Sequence, residues 1–192
     1  MYNIDEYKAI IRENLSDYRY NHSLCVAESA KALARRYGAD ENKAEAAGIL
    51  HDVCKEMPAE KQLMLIEKVG MTPSDADMMS NKFFHQLSGA AYARVFFGIE
   101  DEELLNSIRY HTTGREGMSL MEQIVYLADF ISADRDYDDI DKIRKETEKG
   151  LEYGLLYGSA YTIKSTVKKG KFLHPDTVNA YNWFVKTYFS EK

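Results

Sequence analysis

Two cysteines, three prolines and a net negative charge are the scarcities that first constrain this 192-residue sequence. Cys25 and Cys54 stand far apart, with no Cys-x-x-Cys spacing. That excludes a disulfide framework or a thiolate-built zinc site and fits two small buried thiols in a reducing compartment, the cytoplasm by default. Pro58, Pro73 and Pro175 each fall where a helix can begin, so almost nothing interrupts helical pattern along the chain. No apolar run approaches the roughly 18 residues of a membrane span, and the first residues, Met1 to Glu6, show neither the basic nor the apolar region of a secretory signal. The formal charge of −6 argues against a general nucleic-acid binder, which presents a basic footprint. It leaves a small anionic ligand open, because a bound cation and a few local bases can dominate a pocket. Alternating strand patterns and internal repeats are also missing.

What remains is helix. Val26, Ala30, Leu33 and Tyr37 recur at helical spacing and stop at Gly38. Asp40 is an N-cap for a helix carrying Ala44, Ala47 and Leu50 as far as His51. Pro58 opens the next, with Leu63, Ile66 and Val69 inward and Gly70 as its stop. His85 to Phe97 ends at Gly98, and Glu102 to His111 is closed by Gly114. Ser119 and Glu122 match a capping box that starts the helix bearing Asp129. Asp134 to Lys149 has only Ile140 and Ile143 as apolar residues and is expected to be an exposed helix or turn. Leu151 to Lys169 and Pro175 to Phe189 complete the chain. Tyr153, Tyr157 and Tyr161 repeat every four residues, a packing stripe in the first instance and a homodimer face as the alternative. The expectation is an all-α helical bundle over 1–192 in a single domain, with a core of about 18–135 and C-terminal helices over 139–190 packed on it.

Chemistry concentrates in the five histidines. His22, His51, His85 and His111 lie near helix ends, and His174 precedes Pro175. His51 and Asp52 are adjacent, and neighbours on a helix point about 100° apart. Both can face one ion only where the helix is ending. Asp129 sits in Tyr126-Leu127-Ala128-Asp129-Phe130-Ile131, where a carboxylate is costly unless paired with an arginine or a cation. A capping or surface histidine is the ordinary alternative for His22. Taken together, two imidazoles (His22, His51) and two carboxylates (Asp52, Asp129) balance a divalent ion and leave positions open for water and substrate. Nitrogen and oxygen donors without thiolate suit iron or manganese first, then cobalt, nickel or zinc. His85 and His111 either hold a second ion, with Asp52 as the bridge, or donate hydrogen bonds to phosphate oxygens.

The order His22, His51-Asp52, Asp129 resembles the HD-domain superfamily of metal-dependent phosphohydrolases. His51-Asp52-Val53-Cys54-Lys55-Glu56-Met57-Pro58 resembles the His-Asp-x-x-Lys-x-x-Pro signature of the YqeK family. Arg19 to Ser23, Tyr110 to Gly114 and Leu127 to Arg135 are similar to that family's other motifs, in the same order. The resemblance implies an all-α HD fold, symmetrical hydrolysis of dinucleoside tetraphosphates, iron as the metal, and ADP or another nucleoside diphosphate as product. Asp52, Lys55, His85 and His111 are the candidate catalytic residues. Arg19 and Arg135 are candidate phosphate clamps, Phe172 and His174 bring an aromatic and polar groups towards a base or ribose, and His22, Glu56, Met57, Pro58, Thr112 and Asp129 are further candidates near the substrate. Rival readings are a deoxynucleotidase, a guanosine tetraphosphate hydrolase, or a non-catalytic nucleotide or metal sensor.

Overall fold

The structure is a computed structural model and describes residues 2–190. It is all helix, with no strand among the described residues. In chain order the helices are α1 (Ile4–Asn14), α2 (Asp17–Tyr37), α3 (Glu41–Leu50), α4 (Ala59–Lys68), α5 (Asp75–Met78), α6 (Phe84–Phe97), α7 (Glu102–Arg109), α8 (Leu120–Ile131), α9 (Ile140–Lys149), α10 (Leu151–Lys168) and α11 (Pro175–Phe184). A 3₁₀ turn, Asn81–Phe83, leads into α6, and a π-helical turn, Val185–Phe189, follows α11.

The starts and stops follow local chemistry. Ser16, Asp40 and Asp101 each accept a backbone N–H in the first turn of α2, α3 and α7. Ser119 and Glu122 form the expected capping box on α8. Pro58 and Pro175 stand at helix starts, and Gly38 and Gly98 end α2 and α6 in left-handed conformation.

The scaffold of the site is α2 laid along α3 and α8, with α7 closing the far side against α6 and α8. Ile49, Leu50, Ile108, Ile124 and Leu127 fill the space between them and are fully buried. The α2–α3 approach is close enough to exclude a side chain at Gly48, where a Cβ would come within 2.6 Å of the Ala27 Cα. Gly48→Ala therefore has to pry backbone from backbone. A destabilisation of about 1–3 kcal/mol is expected, read from urea unfolding.

The segment read as an exposed helix or turn is α9, and it is half-buried: Ile140, Ile143, Glu146 and Thr147 face inward. Two isoleucines three residues apart are enough to dock one side of a charged helix on α8 and α10. Tyr157 and Tyr161 of the α10 stripe pack as well, Tyr161 stacked on Tyr137 at 4.8 Å between ring centroids, while Tyr153 is exposed beside Phe189. Cys54 is buried and Cys25 half-buried, both free thiols.

Candidate metal centre and active site

α3 ends at Leu50, with His51 as its C-cap. From there to Met57 the chain runs in successive turns, closed by Val53 N–H to Leu50 O (3.1 Å), Lys55 N–H to Asp52 O (2.8 Å) and Met57 N–H to Cys54 O (3.1 Å). Leaving the helix is what lets two adjacent side chains aim at one point. His22 comes from the second turn of α2, Asp129 from the last turn of α8, His85 from the first turn of α6, and His111 from just beyond the end of α7. His22, His51, Asp52, His85 and His111 are all at most 2% exposed, whereas the Asp129 side chain is 21% exposed and forms part of the lip.

Every one of the four imidazoles spends its Nδ1 on a fixed acceptor. His51 donates to Gly48 O (2.7 Å), His85 to Lys82 O (2.6 Å), His111 to Ile108 O (2.7 Å) and His22 to Asp134 Oδ2 (2.8 Å). These partners only accept, so the proton is assigned to Nδ1 and each Nε2 presents a lone pair to the centre. Burial pushes the His51 pKa down to about 3 and, with the Lys55 charge nearby, that of His85 down to about 4, so these two rings are neutral.

The lone pairs converge on two carboxylates. His22 Nε2 lies 3.0 Å from Asp129 Oδ1 and 3.9 Å from Asp52 Oδ2, and His51 Nε2 lies 3.6 Å from Asp52 Oδ2 and 3.9 Å from Asp129 Oδ1. On the other oxygen of Asp52, His85 and His111 stand 3.3 and 3.5 Å from Oδ1. Asp52 thus divides the cluster, Oδ2 facing His22 and His51 and Oδ1 facing His85, His111 and Lys55. Burial alone would raise both carboxyls. For Asp52 the nearby Lys55 charge opposes it, and for Asp129 the Arg135 charge does, so both are held well below the usual range and ionised.

Three cations ring the acids. Arg19 Nη1 donates to Asp52 Oδ2 (2.8 Å), Arg135 pairs with Asp129 Oδ1, and Lys55 Nζ lies 2.9 Å from His85 Nε2 and 3.4 Å from Asp52 Oδ1. Asp52, Asp129 and Asp134 against Arg19, Lys55 and Arg135 leave the site's own charge at zero. Thr112 Oγ1 reaches both His111 Nε2 (2.9 Å) and His85 Nε2 (3.1 Å). Beyond it opens a cavity of about 390 Å³, lined by Lys82, Phe83, Thr112, Lys171, Phe172 and His174 among others.

A family model for the HD domain matches residues 19–134, a span that holds every imidazole and carboxylate of this cluster. A protein of Bacillus subtilis (strain 168), named as a symmetrical bis(5'-nucleosyl)-tetraphosphatase, is 37% identical over 95% of this chain and 98% of its own. The chain belongs to the YqeK family of HD-domain proteins. A Staphylococcus aureus protein of the same name is 33% identical over 95% of this chain and 94% of its own. A crystal structure from Clostridium acetobutylicum, described as a predicted HD superfamily hydrolase involved in NAD metabolism, superposes with a TM-score of 0.92. It is 38% identical and covers 97% of this chain and 98% of that one.

An HD domain implies a divalent metal, and the residues present fit one. His51 Nε2 and Asp52 Oδ1 are buried without a hydrogen-bond partner, a costly state for polar atoms. Facing lone pairs of imidazole and carboxylate repel unless a cation lies among them. Two groups of donors have the required closeness, His22–His51–Asp129 and His51–Asp52–His111.

The remaining residues named from sequence divide. The structure gathers Arg19, Lys55, Thr112 and Arg135 at the centre, and Phe172 and His174 at the cavity. The Glu56 carboxylate accepts from Ser16 N–H (2.7 Å) and Oγ–H (2.8 Å), Met57 O accepts from Gln62, and Pro58 precedes α4. His174 is 3% exposed, and its Nδ1 accepts the Asp176 N–H to cap α11.

Asp134 was not among the named residues, although it fixes the His22 tautomer. Its one sequence signal is a carboxylate at the end of the Asp129 motif. Outer partners of this kind carry about 10–100-fold in metal affinity or activity, and Asp134→Ala is expected to weaken divalent-ion binding by that factor. A direct metal titration checks it, and unchanged affinity would show that other contacts orient His22.

Proposed function

We propose that the chain hydrolyses dinucleoside tetraphosphates symmetrically, releasing two nucleoside diphosphates, two ADP from diadenosine tetraphosphate. The observation that carries this reading is near-full-length similarity to proteins of that named activity, joined to a metal-fitting cluster that opens onto a polar and aromatic cavity. His22, His51, Asp52 and Asp129 are the ligand set. Iron is our first assignment, ahead of manganese, cobalt, nickel and zinc, because the donors are nitrogen and oxygen alone. Free thiols suit work in the reducing cytoplasm.

A bound divalent ion supplies a water of lowered pKa and takes charge from a phosphate oxygen. The protein supplies the rest. Arg19 and Arg135, each already at a carboxylate, present guanidinium donors to phosphate oxygens in bidentate fashion. Lys55, beside His85 and Asp52, holds a fixed positive charge where charge develops on the leaving oxygen. Lys82 and Lys171 meet the phosphates of the retained nucleotide, and Phe83 and Phe172 flank its nucleoside. One water is consumed: its oxygen joins one central phosphorus, the bond from that phosphorus to the bridging oxygen breaks, and the two halves leave as diphosphates.

The decisive assay is incubation of metal-loaded protein with diadenosine tetraphosphate, deoxynucleotides and guanosine tetraphosphate, with chromatography of the products. Equal ADP from the first is expected. AMP with ATP, or turnover confined to the other substrates, would overturn the reading. So would binding without turnover, the behaviour of a sensor.

A further inference from the structure

Outside the metal cluster, one buried acid joins three parts of the chain that frame the cavity. Asp77 belongs to the one-turn helix α5 and is 1% exposed. Its Oδ2 accepts from Ser74 N–H (2.9 Å) and Ser74 Oγ–H (2.8 Å), which accounts for its local role as a capping-box residue. Two further contacts reach beyond the cap. Arg109 Nη2, at the end of α7, stands 3.3 and 3.4 Å from its two oxygens. His174 Nε2, from the loop before α11, stands 3.4 Å from Oδ1. Because His174 Nδ1 accepts the Asp176 N–H at 3.1 Å, the ring proton lies on Nε2, on the side of the ring nearest Asp77, and forms no hydrogen bond there in the ligand-free chain.

Each contact holds a piece of the cavity. The His174 ring packs on Phe83 at 4.8 Å, and Phe83 in turn meets the edge of Phe172 at 6.4 Å. These three rings come from segments about 90 residues apart in sequence and line the same opening. Arg109 precedes His111 and Thr112 by two and three residues, so its anchor fixes the exit of α7 from which both project. Among the described residues, no other ion pair ties these segments of the cavity wall.

We infer that Asp77 is the positioning residue of the cavity, pinning the Phe83 and Phe172–His174 walls to each other and to the end of α7, so that a nucleoside diphosphate moiety finds its aromatic sides preformed. The inference rests on the proposed substrate class for its effect on turnover, but its structural part stands without it. Burial alone would raise the Asp77 carboxyl. The Arg109 charge and the Ser74 hydrogen bonds outweigh it and hold the group well below the usual range, so the pin is ionised at neutral pH.

Two variants test it. Asp77→Asn removes the charge. His174→Asn keeps an N-cap acceptor for α11 and withdraws the ring from Asp77. For both, the KM for diadenosine tetraphosphate is expected to rise roughly 10-fold, with kcat changed less than about threefold and metal content unchanged. The double variant should cost less than the sum of the two single ones, since both act on the Asp77–His174 contact. Hydrogen exchange of the ligand-free protein gives the readout that does not depend on substrate. Either variant should speed exchange in 79–83 and in 170–175 together. Exchange that rises only around the substituted residue, or a kcat that falls in step with lost metal, overturns the inference. Should the unsubstituted protein cleave no dinucleoside tetraphosphate, the functional reading fails while the exchange result still decides the pin.

Discussion

Asp52→Ala is expected to abolish hydrolysis and strip the divalent ion while leaving the helical fold in place. The two carboxylate oxygens of Asp52 face opposite halves of the cluster. Its Oδ2 faces His22, His51 and Arg19, and its Oδ1 faces His85, His111 and Lys55. Loss of an orienting partner in a metal site costs about 10–100-fold, and loss of the central carboxylate has to exceed that range. The fold is expected to survive because Asp52 contributes charge to a polar floor and no apolar area to the core. Its removal also ends the desolvation cost of a buried acid, which offsets the loss of its contacts to Arg19 and Lys55. Metal analysis, circular dichroism and turnover on one preparation distinguish the outcomes. Turnover that persists without Asp52 would remove the metal-centred mechanism, and a variant that fails to fold would show that the cluster is part of the core's stability.

The convergence of His22, His51, Asp52 and Asp129 was legible because each residue contradicts its surroundings. Asp129 interrupts an apolar helix face, and a His-Asp pair follows an apolar run at a helix end. A lone polar group in such a place implies a partner. The helices were legible for the same local reasons, through capping residues, glycine stops and apolar spacing, and the all-α fold followed. The partners of Nδ1 were not. Three are backbone carbonyls that any sequence supplies, and Asp134 reads as ordinary charge beside Arg135. Glu56 has a partner that spacing does not reveal: its carboxylate accepts from Ser16, 40 residues earlier, at the start of α2. The segment from Met71 to Phe83 is short, irregular and weakly patterned, so neither its helical turn nor the reach of Asp77 to Arg109 and His174 could be read from spacing.

Lys55→Met is expected to lower kcat about 10²–10³-fold, the usual cost of deleting one preorganised donor at developing charge, with the divalent ion retained. His85 and His111 pose the choice between a second ion and a phosphate-binding wall, and Lys55 bears directly on it. Its ammonium lies 2.9 Å from His85 Nε2 and 3.4 Å from Asp52 Oδ1, so a positive charge already stands on the side a second ion would use. With the site's own charges summing to zero, one divalent ion brings it to about +2, a fair match for part of an anionic tetraphosphate. A second ion would crowd Lys55 and require it to move. Methionine keeps the length and volume of the stem while removing only the charge, so packing changes little and the kinetic effect is electrostatic. Metal-to-protein ratios of the unsubstituted protein and the variant should agree. A variant that takes up an additional ion and keeps its rate would show that His85 and His111 are metal ligands for which lysine substitutes. Full activity without extra metal would remove Lys55 from the reaction altogether.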